Sequence, residues 1–326
     1  MSERTGVLFS TRDNLELVTR AEELGYESVW TAEGQGKTAF GKLERWATVT
    51  SEIRLATGIV NIFARTPAST AQSIATLDAH ADGRAILGLG VAHPGVIEAF
   101  HGVKFERPLS RLDEYVELVR RYLRGDTSSY EGEYYTPTRT HFWDAFEPVR
   151  EEIPMYNAAL GPGNVRLTGA RFDGWLPNLY PIDRFRDALG WLETGADRTG
   201  RSVDDIDVAM YVLVAIDEDP DVAREKAREH IAYYLRDIPG YYGRVAAMAG
   251  FEDEVERAEQ AASTADAAAA LSDEFVDLVA VTGISDDIET GLQELRDVGV
   301  ELPIVRAPIG AETHEVERML AICAPR

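Results

Sequence analysis

Short apolar runs alternate with longer segments of helical period along the whole chain. Residues 6–10, 28–32, 54–61, 84–91, 154–159, 174–177, 207–216 and 302–307 are apolar runs of strand length. Between them, residues 13–24 carry apolar side chains at 15, 17, 18, 21 and 24, the spacing of one helix face. Residues 109–123 repeat it at 109, 112, 115, 116, 119, 122 and 123. The same period predicts helices over 43–51, 68–81, 164–170, 183–199, 221–235, 251–271, 286–298 and 312–322. Gly25 and Gly299 stand where two of these helices should stop. Strand–helix alternation carried through eight strands, with no linker-like stretch, predicts one (β/α)8 TIM barrel spanning residues 1–326. Two segments interrupt the rhythm. Residues 125–148 hold Tyr130, Tyr134, Tyr135, Phe142, Trp143 and Phe146 among turn formers and predict a hairpin-like insertion. Residues 217–283 predict a helical excursion between the seventh and eighth strands.

Composition narrows the class. Of 326 residues, 45% are apolar, enough for a sizeable core. The charge is lopsided: 33 basic against 56 acidic residues, a net −23, and only Lys37, Lys42, Lys104 and Lys226 are lysines. Such a chain repels phosphate backbones and anionic lipid, so neither nucleic acid nor a membrane is an expected partner. It also repels itself unless salt screens it, which predicts a high-salt, halophilic cytosol. Cys323 is alone, so no intrachain disulfide forms. Charges at Glu3 and Arg4 and the lack of any apolar stretch of membrane length predict a cytoplasmic protein.

In a barrel of this kind, chemistry gathers where strands end on the C-terminal face. The ends here include Thr31–Ala32–Glu33, the run 58–61, the run 88–93, the run 158–163, Asn178 and Arg306. Glycine at 58, 88, 90, 161 and 163 lets a flat ligand or a phosphate come close to the backbone. Gly161-Pro162-Gly163-Asn164 opens a helix directly after a strand, and unpaired N–H groups there suit an anion, with Asn164 as a suitable N-cap. Glu33 and His93 are the titratable candidates at strand ends. The six histidines show no metal-ligand spacing, so no metal is expected. Gly88-x-Gly90 lacks a third glycine, because position 93 is histidine, so no dinucleotide fingerprint is present.

Five blocks occur in one order: "AQSIATLDAHADGRAILGLGVAHPG", "FERPLSRLDEYVELVRRYLRG", "IPMYNAALGPGNVRLTGARFDGWLPN", "DIDVAMYVLVAIDED" and "VTGISDDIETGLQELRDVGV". With these blocks and strand ends the chain resembles the bacterial-luciferase-like superfamily, and within it the branch dependent on coenzyme F420. The resemblance implies a barrel with an insertion, a homo-oligomer, commonly a dimer, and hydride transfer between the deazaflavin C5 and a small organic substrate. "ATGIVNIFARTPAST" is similar to the strand-three block of the methylenetetrahydromethanopterin reductases, which implies a methylene-tetrahydropterin or folate one-carbon carrier. It further implies a non-prolyl cis peptide at Gly58–Ile59 behind the ring. Asn61, Gly88, Gly90 and Val91 would lie around that ring, and the cofactor phosphate at Leu160, Gly161, Pro162, Gly163 and Asn164. Leu8 stands where those reductases carry a glutamate, and Glu33-Gly34 where related enzymes have Asp-His, so proton handling falls to Glu33 or His93. The alternatives are an FMN-dependent monooxygenase of the same superfamily and a catalytically silent cofactor-binding paralogue.

Overall fold

The computed structural model describes residues 3–10, 12, 14–34, 36–126, 128–138, 148–238 and 240–326. Eight parallel strands close on themselves: β1 (Gly6–Leu8), β2 (Ser28–Thr31), β3 (Arg54–Thr57), β4 (Ala85–Gly90), β5 (Met155–Asn157), β6 (Gly174–Trp175), β7 (Asp207–Ile216) and β8 (Leu302–Arg306). Closure is made by β8, which pairs with β1 through Gly6↔Ile304 and with β7 from Leu302↔Ala209 to Arg306↔Leu213. The eight predicted strands are all present. Two short pieces lie off the ring: Val60–Asn61 pairs with the end of β4, and Ala280–Gly283 pairs with the last residues of β7.

Side-chain alternation sorts each strand between two cores. Inward residues, among them Leu8, Trp30, Ala56, Ile86, Tyr156 and Tyr211, fill the barrel. Outward residues such as Val7, Val29, Leu55 and Leu87 meet the surrounding helices. At the N-terminal mouth, Arg4 Nε donates to Glu27 at 2.5 Å, and its two Nη atoms donate to Asp207 at 2.8 Å each. This charged plug closes one end of the barrel and leaves the other for a ligand.

The helices follow the predicted order: α1 (Leu15–Glu23), α2 (Ala39–Ala47), α3 (Pro67–His80), α4 (Pro94–Ala99), α5 (Pro108–Leu123), α6 (Pro162–Arg171) and α7 (Phe185–Asp197). The second starts four residues before its predicted position, because the Thr38 hydroxyl caps it by accepting from Gly41 N–H, and Phe40, Leu43 and Trp46 are buried. The six-residue α4 has too few apolar positions to leave a periodic signal.

The excursion after β7 is built from α8 (Pro220–Asp237), α9 (Tyr241–Met248), α10 (Glu252–Glu259), α11 (Thr264–Ala269) and α12 (Asp273–Val279). The predicted helix over 251–271 is thus two helices, since Ser263 accepts from Asp266 N–H and starts a new one. Leu213, Ile231, Leu235, Phe275 and Val276 give the excursion a core of its own. The helices α13 (Ser285–Asp297) and α14 (Thr313–Ile322) complete the ring.

Of the insertion, residues 128–138 form a tight turn-back in which Tyr130 N–H donates to Pro137 O and Gly132 N–H to Tyr135 O. The Glu114 carboxylate accepts from the N–H groups of Glu133, Tyr134 and Tyr135, and Arg111 lies over the rings of Tyr134 and Tyr135. These aromatics pack on α5. Phe142, Trp143 and Phe146 lie outside the described residues. No described helix is long and apolar enough to cross a membrane.

Candidate active site

A cavity of about 610 Å3 opens at the C-terminal ends of the strands, a volume suited to a cofactor-sized ligand. Its lining is mostly apolar, and the excursion helices α8 and α9 cover one side through Tyr234, Tyr241, Tyr242 and Met248. Gly58 and Ile59 form one wall, and the peptide bond between them is cis, as the resemblance implies.

Two glycines clear this wall for different reasons. A Cβ on Gly58 would stand 2.0 Å from the Tyr211 hydroxyl, and a Cβ on Gly90 would stand 2.9 Å from the end of the Ile59 side chain. Glycine at both positions lets the Gly58–Ile59 segment lie flat against the strands beside it. Val91 and Ala92 continue the wall, and Ala92 bends the chain with a positive φ of 54° before His93.

The turn after β5 also faces the cavity, with all of Leu160, Gly161, Pro162, Gly163 and Asn164 in its lining. Gly161 is the N-cap of α6 and Pro162 its first residue. This corrects the expectation for Asn164, which sits within the first turn. Its side chain accepts from Asn157 Nδ2 at 2.9 Å and donates to Ala158 O at 3.2 Å, pinning the turn to β5. Gly163 and Asn164 N–H groups, in that first turn, have no acceptor inside the helix and remain available to an anion.

Asn61 and Gly88 do not line the cavity. Asn61 Oδ1 accepts from Phe63 and Ala64 N–H, holding the following loop. Gly88 lies behind the wall, where a Cβ would collide with Thr57 O at 2.0 Å, so its role is strand packing.

The two candidate titratable groups differ. Glu33 lines the cavity, but its carboxylate accepts from Arg65 Nε at 3.2 Å, from Arg65 Nη2 at 3.1 Å and from Ala39 N–H at 3.0 Å. Three donors on one carboxylate make it an anchor between β2, α2 and the β3 loop. His93 lines the cavity with an imidazole that makes no hydrogen bond among the described residues. Partial burial holds its pKa below the usual 6.5, so it is neutral at pH 7.

Strand-end reasoning assigned no role to a polar group on the opposite wall. Arg306 ends β8 on the inward face shared with Leu302 and Ile304, and its Nη1 donates to the Tyr234 hydroxyl at 2.9 Å. Asn178 Nδ2 donates to the Tyr242 hydroxyl at 3.2 Å. The Tyr211 hydroxyl and Asn178 Oδ1 are buried without partners. A charge at an inward position of an otherwise apolar strand was the available signal. Its neighbours come from α8 and α9, far along the chain, and could not be read from it. Beneath them His230 accepts from Ile309 N–H through Nδ1 and stacks on Tyr234. Burial first, and Arg306 next, push the His230 pKa well below 6.5. Among the described residues no cluster of three or more His, Cys, Asp or Glu could hold a metal ion.

Comparison with known proteins agrees with this geometry. A Mycobacterium tuberculosis protein assigned as a coenzyme F420-dependent oxidoreductase is 30% identical over 328 residues, covering 95% of this chain and 94% of that one. The 5,10-methylenetetrahydromethanopterin reductase of Methanopyrus kandleri is 30% identical over 320 residues, covering 92% and 90%. The solved structure of the F420-dependent tetrahydromethanopterin reductase from Methanopyrus kandleri superposes with a TM-score of 0.83 at 27% identity, covering 99% and 98%. The family model of the luciferase-like monooxygenases matches residues 1–302, and the chain belongs to that family.

Proposed function

We propose that this protein is an F420-dependent oxidoreductase whose substrate is a methylene-tetrahydropterin-type one-carbon carrier. The observation that carries the cofactor assignment is the pairing of a glycine-cleared wall, Gly58–Ile59 beside Gly90, with a helix start that offers free N–H groups at Gly163 and Asn164. A planar ring fits the first and a phosphate the second. The carrier assignment is supported by the reductases among the relatives.

F420, when bound, supplies or accepts a hydride at its deazaflavin C5. The residues of this chain do the rest. Ile59, in the cavity wall, would back the ring and set its position against the substrate. Tyr241, Tyr242 and Met248 of the overlying helix exclude water from the reacting carbon. His93, with its unengaged imidazole, holds the proton that accompanies the hydride, and Glu33 keeps the cavity rim in place through Arg65 and Ala39. A homodimer accompanies this reading, and sedimentation would measure it.

Anaerobic titration with F420 and with FMN, in low and molar KCl, tests the assignment. The expected result is a saturable change in F420 absorbance with protection against heat. Turnover with methylene-tetrahydromethanopterin and methylene-tetrahydrofolate should follow. No response to F420 would remove the proposal, and tight FMN binding with oxygen uptake would replace it by the flavin monooxygenase alternative.

A further inference from the structure

Arg306 is a cation in an unusual setting. Its side chain lines the cavity, yet the residue is 5% exposed. Its one side-chain hydrogen bond among the described residues runs from Nη1 to Tyr234, over whose ring the guanidinium carbon lies at 5.4 Å. Its Nε is buried without a partner. Around it stand the Tyr234 ring, the phenols of Tyr211 and Tyr242, held neutral by burial, and the His230 imidazole, whose pKa burial pushes well below 6.5. Among the described residues, the one acid that lines the same cavity, Glu33, is committed to Arg65.

Among the described residues no carboxylate pairs with it, in a chain with 56 acidic residues. A buried charge without a counter-ion is costly, and a folded protein keeps one where a ligand supplies the opposite charge. The turn at Gly161–Asn164 already offers a place for a cofactor phosphate. It follows β5, which lies three strands from β8 by way of β6 and β7.

We propose that Arg306 is a substrate-recognition residue that binds a carboxylate. The edge formed by Nε and Nη2 carries two parallel N–H donors, the spacing of two carboxylate oxygens. Tyr234 accepts from Nη1 and leaves the other two nitrogens without a protein partner among the described residues. Asn178 and Tyr211 line the same cavity, and Asn178 Oδ1 and the Tyr211 hydroxyl are buried there without partners. The inference rests on the reading of this cavity as the active site and narrows its substrate to one with a carboxylate near the barrel axis.

Thermal unfolding of the full chain at constant ionic strength tests it, with benzoate, benzamide and inorganic phosphate as probes and with wild type, Arg306→Met and Arg306→Lys. Benzoate is expected to raise the wild-type Tm while benzamide and phosphate do not. Arg306→Met should unfold at or above the wild-type temperature in buffer, because it removes an unpaired buried charge, and should lose the benzoate response. Arg306→Lys should keep part of it. A residue with a merely structural role would instead lower the Tm when replaced and leave the benzoate shift unchanged, which would overturn the proposal. Equal protection by benzamide, or protection by phosphate alone, would also overturn it. Should Arg306→Met fail to fold, Tyr234→Phe serves: it keeps the cation and is expected to keep the benzoate response, whose loss would assign the site to Tyr234. F420 and its deazaflavin fragment without phosphate and glutamate separate the remaining case. Loss of F420 binding but not of fragment binding in Arg306→Met would make Arg306 a cofactor-tail residue. An Arg306-dependent benzoate shift without any F420 binding would leave this inference standing and remove the proposed function.

Discussion

The hydroxyl of Tyr211 occupies the space into which a side chain on Gly58 would grow, 2.0 Å from the position of a Cβ. Tyr211 belongs to β7 and Gly58 follows β3, so two distant parts of the chain define the cavity wall together. Gly58→Ala should therefore cost about 1–3 kcal/mol by overpacking and weaken F420 binding at least tenfold. Tyr211→Phe removes the obstructing oxygen, and the double variant should recover part of both losses. Denaturant unfolding and cofactor titration of the three variants measure the coupling.

The lowered pKa of His93 sets a sign for the pH dependence. In the direction that takes a proton from the substrate the imidazole must be neutral, so kcat/KM falls as pH falls through a pKa below 6.5. In the reverse direction the imidazole must be charged, and the rate falls as pH rises through the same value. His93→Gln should flatten both limbs while leaving F420 affinity within about twofold. Unchanged profiles in the variant would remove His93 from proton transfer.

Glu33 and Arg65 behave as a structural pair in this geometry. Glu33→Gln keeps the shape but loses the charge that two guanidinium donors address, and should destabilise the fold by about 1–2 kcal/mol. Arg65→Met should do the same, and the double variant should cost less than the sum. A loss of kcat beyond about 100-fold in Glu33→Gln, with the pH limb moved, would instead give Glu33 the proton-transfer role.

At the closed end of the barrel, burial opposes ionisation of Asp207, but the hydrogen bonds and charge of Arg4 win and hold its carboxyl below the usual 3.8. A lowered carboxylate pKa contributes stability that is present above the unfolded value and lost as pH falls through the folded one. Acid unfolding should therefore shift to higher pH in Arg4→Met, with a loss of about 1–3 kcal/mol at pH 7, since Arg4 is partly exposed. Its kcat should match wild type, because the plug lies at the opposite mouth from the cavity.

Net charge gives a fifth test. With −23 on 326 residues, repulsion should be the term that salt removes, and Tm should rise from low to molar KCl. A flat response would remove the high-salt reading while leaving the fold and site unaffected.

The eight strands and their order were legible in the chain because each is a run of apolar residues long enough to be buried on both faces. The cavity wall at Gly58–Ile59, the glycine at 90 and the turn at Gly161–Asn164 were legible for a related reason. Glycine at a strand end marks a backbone that something must approach. Local pattern could not say which of two strand-end acids and bases is free. Glu33 and His93 looked equivalent until Arg65 and Ala39 were found on Glu33. Asn61 and Gly88 likewise read as site residues until Asn61 was found holding its own loop and Gly88 packed against the Thr57 backbone. That Arg306 meets no carboxylate among the described residues is a property of the neighbours brought by α8 and α9. Periodicity along one chain reports which way a side chain points, and this determined the barrel. Whether a charge is matched depends on atoms brought close from far along the chain, and only the tertiary structure decided that.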